Sequence, residues 1–182
     1  MARITSALSA LVIGGLVAAP AIAQPAESVM SDFVRDWLVE GAVGYSELTI
    51  DYGHECILPA VLDLDEESQQ VFVDAGGFEA GLDPLYEADP TGWERLLPQI
   101  EQCAQTMILG EGVIPWVNEE LPDSPQEERD RVAVCVMDAV RPLPSVAKQV
   151  IALADSFEQG VEELLAEPDL AGTVEEDIES CV

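Results

Sequence analysis

Apolar residues recur along this chain at steps of three and four, the spacing of one helical face, and the two-residue alternation of a half-buried strand is nearly absent. Met30, Phe33, Val34, Trp37 and Leu38 share a face and predict a first helix. A second is expected over Ser46 to Leu62. Asp63-Leu64-Asp65-Glu66-Glu67 then reads as an inter-helix turn whose acids cap the next helix. It opens like a calcium loop, but the sixth position is Ser68 where the turn needs Gly, and the twelfth is Asp74. The third helix comes after this turn, with Gly76-Gly77 expected to loosen or kink it, and a fourth begins at Thr91, where Pro98 should kink it or delay its start.

The same series is then written again. Shifted by 79 positions, Trp37 falls on Trp116, Glu40 on Glu119, Asp51 on Asp130, Cys56 on Cys135 and Ala60-Val61 on Ala139-Val140. Gln70-Val71 meets Gln149-Val150, and Phe78-Glu79-x-Gly81 meets Phe157-Glu158-x-Gly160. After the loss of one residue near Tyr86, Pro90, Ile100-Glu101 and Cys103 match Pro168, Ile178-Glu179 and Cys181. Each copy therefore reads as one supersecondary unit, and two copies make a pseudo-symmetric pair rather than a stacked array.

The second copy sharpens the element boundaries. Ser124 is expected as an N-cap with Pro125 at the first helical position and Glu127 at N3. Val146, Val150, Leu153, Phe157, Val161 and Leu164 recur at helical steps and predict one long third helix. The fourth starts at Thr173 with Glu176 in capping-box position. The expected fold is all-α, a tandem duplication of a four-helix, disulfide-bridged unit with about eight helices in the mature chain. Its units are helical repeat 1 over 24–104 and helical repeat 2 over 105–182, joined by a nearly continuous helical segment.

Ahead of the repeats, Arg3 is followed by the apolar run Ile4 to Ala19 and by Ala21-Ile22-Ala23, a small-x-small cleavage site. Residues 1–23 read as a signal peptide cleaved after Ala23, which places the mature chain in a bacterial periplasm with no later membrane span. An even number of cysteines in an exported chain is normally oxidised. Among the three possible pairings the repeat selects Cys56 with Cys103 and Cys135 with Cys181, a bridge within each unit. Each would join the second helix to the fourth across the third and close a loop of about 47 residues, worth up to about 4 kcal/mol in the chain-entropy model. No C-x-x-C spacing suggests a redox-active pair.

Charge narrows the partners. The chain carries 36 acidic against 7 basic residues, and loss of the leader removes Arg3 but no acid. Such a balance repels nucleic acid and anionic lipid and favours cations, basic proteins or solubility alone. Chemistry is sparse. His54-Glu55 is followed by Leu58 where a zinc protease needs a second histidine, and the repeat equivalent of His54 is Ala133. No G-x-S-x-G nucleophile turn is present, and with the cysteines bridged neither metal nor cofactor is expected. The candidate binding residues are the aromatic and polar positions kept in both copies: Trp37 and Trp116, Glu40 and Glu119, Gln70 and Gln149, Glu79 and Glu158. They either line a two-fold cleft between the copies or serve ordinary helix packing and capping.

One disulfide closing a loop of nearly fifty residues in a small exported helical unit loosely resembles the acid-stress chaperones of the HdeA family, in cysteine spacing and export alone. A second likeness is to small exported helical immunity proteins that neutralise basic cell-wall enzymes. The leading expectation is a non-enzymatic, acidic binding protein of the periplasm that engages a basic protein as an immunity protein or inhibitor does. The alternatives are an acid-activated chaperone for unfolded clients, whose carboxyls titrate near pH 4, and a hydrolase using the repeated carboxylates.

Overall fold

A computed structural model describes residues 27–167, 169 and 173–182; the expected leader lies outside them. Among the described residues the chain is helical, without strands. The helices are α1 (Glu27–Gly41), α2 (Glu47–Leu62), α3 (Glu66–Ala75), α4 (Phe78–Ala88), α5 (Pro90–Glu120), α6 (Gln126–Val140), α7 (Ser145–Leu153), α8 (Phe157–Leu165) and α9 (Val174–Glu179). Their bounds follow the sequence repeat: moved by 79 residues, α2, α3 and α4 fall on α6, α7 and α8 to within two residues at every end. By the same shift α1 falls on 106–120, the second half of α5.

Local chemistry sets most ends. Ser46 caps α2, its hydroxyl accepting from the Thr49 amide at 3.1 Å, and Asp65 caps α3 by accepting from the Ser68 amide at 2.8 Å. The turn read as a failed calcium loop is this cap. Gly76 ends α3 in the left-handed region, φ 78°, and the Gly76 and Gly77 amides both donate to the Phe72 carbonyl. The Gly76-Gly77 pair thus ends one helix and begins another instead of kinking one.

The second copy departs further from expectation. The predicted helix from Val146 to Leu164 is two helices, broken at Ala154-Asp155-Ser156, with the Ser156 hydroxyl accepting from the Gln159 amide at the start of α8. The predicted seam holds in α8, where Phe157 and Leu164 are buried, and fails in α7: Val146 is 58% exposed and Leu153 86%, while Ala147, Lys148 and Ile151 are buried. Periodicity runs straight through a break when the residues flanking it keep the period, so a serine able to cap was the missed signal. Among the described residues α1 to α4 and the first part of α5 fall in the first unit, and the rest of α5 with α6 to α9 falls in the second. At α6 the helix begins at Gln126, one residue later than expected, with Pro125 extended at ψ 151° and making no side-chain cap. At the first fourth-helix position Pro90, rather than Thr91, is the opening residue.

The centre of the molecule is α5. It runs unbroken through the expected boundary at 104/105, with Pro98 and Pro115 inside it. It packs against α2, α6 and α7, with α4 and α8 further along, and the buried apolar residues of both halves join in one core. Small residues allow this closeness: a Cβ at Gly53 would lie 2.3 Å from the Met107 sulfur, and one at Gly110 would lie 2.8 Å from that of Met137. Cys56–Cys103 joins α2 to α5, and Cys135–Cys181 joins α6 to the turn just after α9. The joined helices pack directly, so the bridges do not span an intervening helix as expected.

Candidate functional site

The repeated aromatic pairs occupy equivalent places. Trp37 meets Phe78 with ring centroids 5.0 Å apart, and Trp116 meets Phe157 at 5.3 Å, the same pair 79 residues on. Phe78 and Phe157 are buried; the tryptophans are half-exposed. Each pair walls a surface depression that contains acids. The first is lined by Trp37 and Phe78 with Asp36, Glu40 and Glu79; the second by Trp116 and Phe157 with Glu120, Glu158, Glu162, Glu175 and Glu179. Glu79 and Glu158 stand in the first turns of α4 and α8, where a carboxylate favours the helix dipole.

The other repeated polar residues do not join them. Gln70 donates to Asp74 one turn along α3 at 2.8 Å, Gln149 is exposed on α7, and Glu119 is exposed near the end of α5 without lining either depression. Asp51 pairs with Arg35 at 2.7 Å, and Asp130 accepts from Gln126 at 2.6 Å. None of the described depressions holds acids of both repeats in corresponding positions, so the eight candidates do not form a single cleft between the copies.

His54 sits with Nε2 3.0 Å from the Ser31 hydroxyl and 3.2 Å from the Ser31 carbonyl, fastening α2 to α1. Among the described residues no three His, Cys, Asp or Glu side chains gather closely enough to hold a metal ion, and no helix is long and apolar enough to cross a membrane.

Between the two acidic depressions lies a region that the repeated residues do not reveal. One depression, about 210 Å³, is walled by Trp37, Leu38, Ala42, Tyr45, Met107 and Ile108 and has no charged lining residue. Its neighbour is walled by Ile108, Leu109, Ile151, Ala154 and Phe157, with Asp155 at its edge. Ile108, 52% exposed, divides them. Trp37 connects the first to one acidic depression and Phe157 connects the second to the other. No signal in the sequence singles out Ile108, because Met107, Ile108 and Leu109 point about 100° apart in turn and only the packing decides which of them is left uncovered.

The polar contacts that fasten the halves are also new. Glu111 on α5 accepts from the Ser46 amide at 3.1 Å and from the fully buried Thr49 hydroxyl at 2.7 Å, completing the cap of α2. The Tyr52 hydroxyl donates to Asp138 at 3.2 Å, and burial, with Asp138 second, pushes that phenol above its ordinary range. Lys148, the only lysine in the chain, is 2% exposed. Its ammonium reaches the Gln102 carbonyl at 3.4 Å and the Thr106 hydroxyl at 3.3 Å, and burial, then Arg141, pushes it down to about 8. Comparison with protein-family models, with curated proteins and with solved structures gives no match.

Proposed function

We propose that this is an exported protein of the periplasm, freed of residues 1–23 by cleavage after Ala23, whose work is to bind a basic protein partner without catalysis. Its two halves descend from one duplicated unit. The duplication is supported by the shared helix bounds, by one disulfide in each half, and by the matched Trp–Phe pairs. Export is supported by the leader pattern and the two bridges.

The observation that carries the binding reading is the fate of the bases. Arg35, Arg95, Arg131 and Arg141 each lie within 4 Å of a carboxylate, Arg129 donates to Gln126, and Lys148 is buried. Among the described residues no basic side chain lines the two acidic depressions or the apolar ones between them, and none forms an ion pair with the carboxylates there. A hydrolase reading has less behind it, since Glu40 and Glu119 stand apart and His54 is engaged with Ser31.

Immobilised protein exposed to periplasmic extract of its own cell at roughly 20 mM salt should retain a basic protein, and the affinity should fall steeply toward roughly 200 mM as the charges are screened. The reduced and alkylated chain is the control, because it keeps the charges and loses the shape. Equal retention by that control, or nothing basic retained by the folded protein, sinks the proposal.

A further inference from the structure

We propose that the apolar seam centred on Ile108 is the docking surface for one short amphipathic helix of the basic partner. The inference rests on the binding reading above and adds to it where the partner sits and what part of it is recognised. Three features converge. The seam crosses the junction of the two halves, with α1 and the α1–α2 turn on one side of Ile108 and the α7–α8 turn on the other. Of the large apolar side chains left exposed among the described residues, Ile108 divides the seam, and Val43 and Leu153 adjoin its walls in the chain at 84% and 86% exposure. Uncovered apolar surface of this kind, rimmed by polar residues, marks association surfaces.

Charge complementarity identifies the occupant. The seam's own walls carry Asp155 as their only charge, and at its two ends Trp37 and Phe157 lead into the acidic depressions. A segment that fits has an apolar centre and Lys or Arg at both ends. Without a strand among the described residues there is no sheet edge to pair with an extended peptide, which favours a segment that satisfies its own backbone and presents one apolar face, as an amphipathic helix does. Its length follows from α5. Ala104, Ile108 and Gly112 line the seam at four-residue steps, about 12 Å along the axis. Residues four apart also advance by about 40° around a helix, so the far ends of the row turn away and a straight occupant meets the row over about two turns, with its charged residues in a further turn at each end. A second copy of this chain is a poor occupant, since each brings a charge of −29.

The test uses the full chain, expressed with its leader and purified as processed. The probe is a fluorescent synthetic peptide of about fourteen residues, near the lower limit for a helix in water, with leucines on one face and lysines and arginines at both ends. Its partner probe has the same composition, scrambled to scatter the leucines. The ordered peptide should bind roughly tenfold or more tightly than the scrambled one, and Ile108→Glu should abolish that difference. This substitution adds a negative charge, so long-range attraction for either peptide rises and a loss can come only from the seam. Glu79→Gln with Glu158→Gln, which leaves the apolar walls intact, should weaken the ordered peptide and flatten its salt dependence. Equal binding of the two peptides, or no effect of Ile108→Glu in a protein with unchanged circular dichroism, overturns the seam while leaving attraction for basic proteins standing. Binding of neither peptide at low salt overturns both. A dimer at micromolar concentration that Ile108→Glu dissociates would make a second copy the occupant and overturn the proposal.

Discussion

Gln69 and Lys148 are each the fourth residue of their helix, α3 and α7, 79 residues apart, and both are buried, at 4% and 2% exposure. The Gln69 amide donates to the Leu62 and Leu64 carbonyls at 3.1 and 2.8 Å, closing the α2–α3 turn of its own half. Lys148 instead reaches away from its turn to the middle of α5, where its two contacts are longer and neither is a carboxylate. A neutral amide in the first half satisfies a local need, whereas the second half places a cation in a desolvated site and ties α7 to the central helix. The fourth residue of a helix thus closes a local turn in α3 and ties the helix to α5 in α7. A buried polar group is inexpensive when its partners are complete and costly when it is charged and they are not.

The bridges break the comparison most strongly. Cys56→Ala with Cys103→Ala should lower stability by up to about 4 kcal/mol in urea titrations, because the bridge closes a long loop between two helices of the core. The Cys135–Cys181 bridge closes a loop of nearly the same length, but it holds the six-residue α9 at the chain end. Its removal by Cys135→Ala with Cys181→Ala should release α9 first, seen as fast amide exchange in 174–182, with a smaller shift of the main transition. Equal shifts would mean that α9 unfolds only with the whole.

The paired glycines come next. An added Cβ at Gly160 would meet the Ile151 backbone, at 2.6 Å from its Cα, whereas at Gly81 the nearest atom is the Phe72 ring at 2.4 Å and the nearest backbone atom, the Phe72 Cα, lies at 3.0 Å. A ring can shift where backbone cannot, so Gly160→Ala should cost about 2–3 kcal/mol and Gly81→Ala about 1–2. Adding Phe72→Leu should recover part of the second loss. Thermal unfolding of the natural protein and these three variants decides it.

The Gln69 and Lys148 positions should respond with opposite signs. Gln69→Leu removes the donors of two buried bonds and should destabilise by about 1–2 kcal/mol. Lys148→Met removes a buried charge and should stabilise by about 1–3 kcal/mol at pH 7. The pH dependence carries the proof. Lys148 is pushed down to about 8 in the folded chain against 10.5 ordinarily, so the unfolded chain holds its proton to higher pH. Stability of the natural protein should therefore rise between about 8 and 10.5, and the cost of the charge is present in full below 8. The advantage of Lys148→Met should shrink across that window; a constant advantage would locate the effect in packing. The smallest effect is expected at Arg35→Ala, under about 1 kcal/mol, because the Arg35–Asp51 pair is nearly half exposed on both sides.

The sequence by itself determined the helical class, the two disulfides, the extent of α2 and, to within one residue, the starts of α5, α6 and α9. These follow from information held within a few residues, or from a comparison of the chain with itself: the 3.6-residue period, the capping acids of 63–67, and the cysteines matched at the 79-residue shift. It mistook α3 and α4 for one kinked helix and α7 and α8 for one straight one, because a period does not register a break that preserves it. Only the tertiary structure decided that α5 belongs to both halves, that the halves share a core, that Lys148 is buried and that Ile108 is not. Those facts depend on which helix faces are covered by neighbours distant in the chain, and a periodic pattern names an apolar face without saying what, if anything, lies against it.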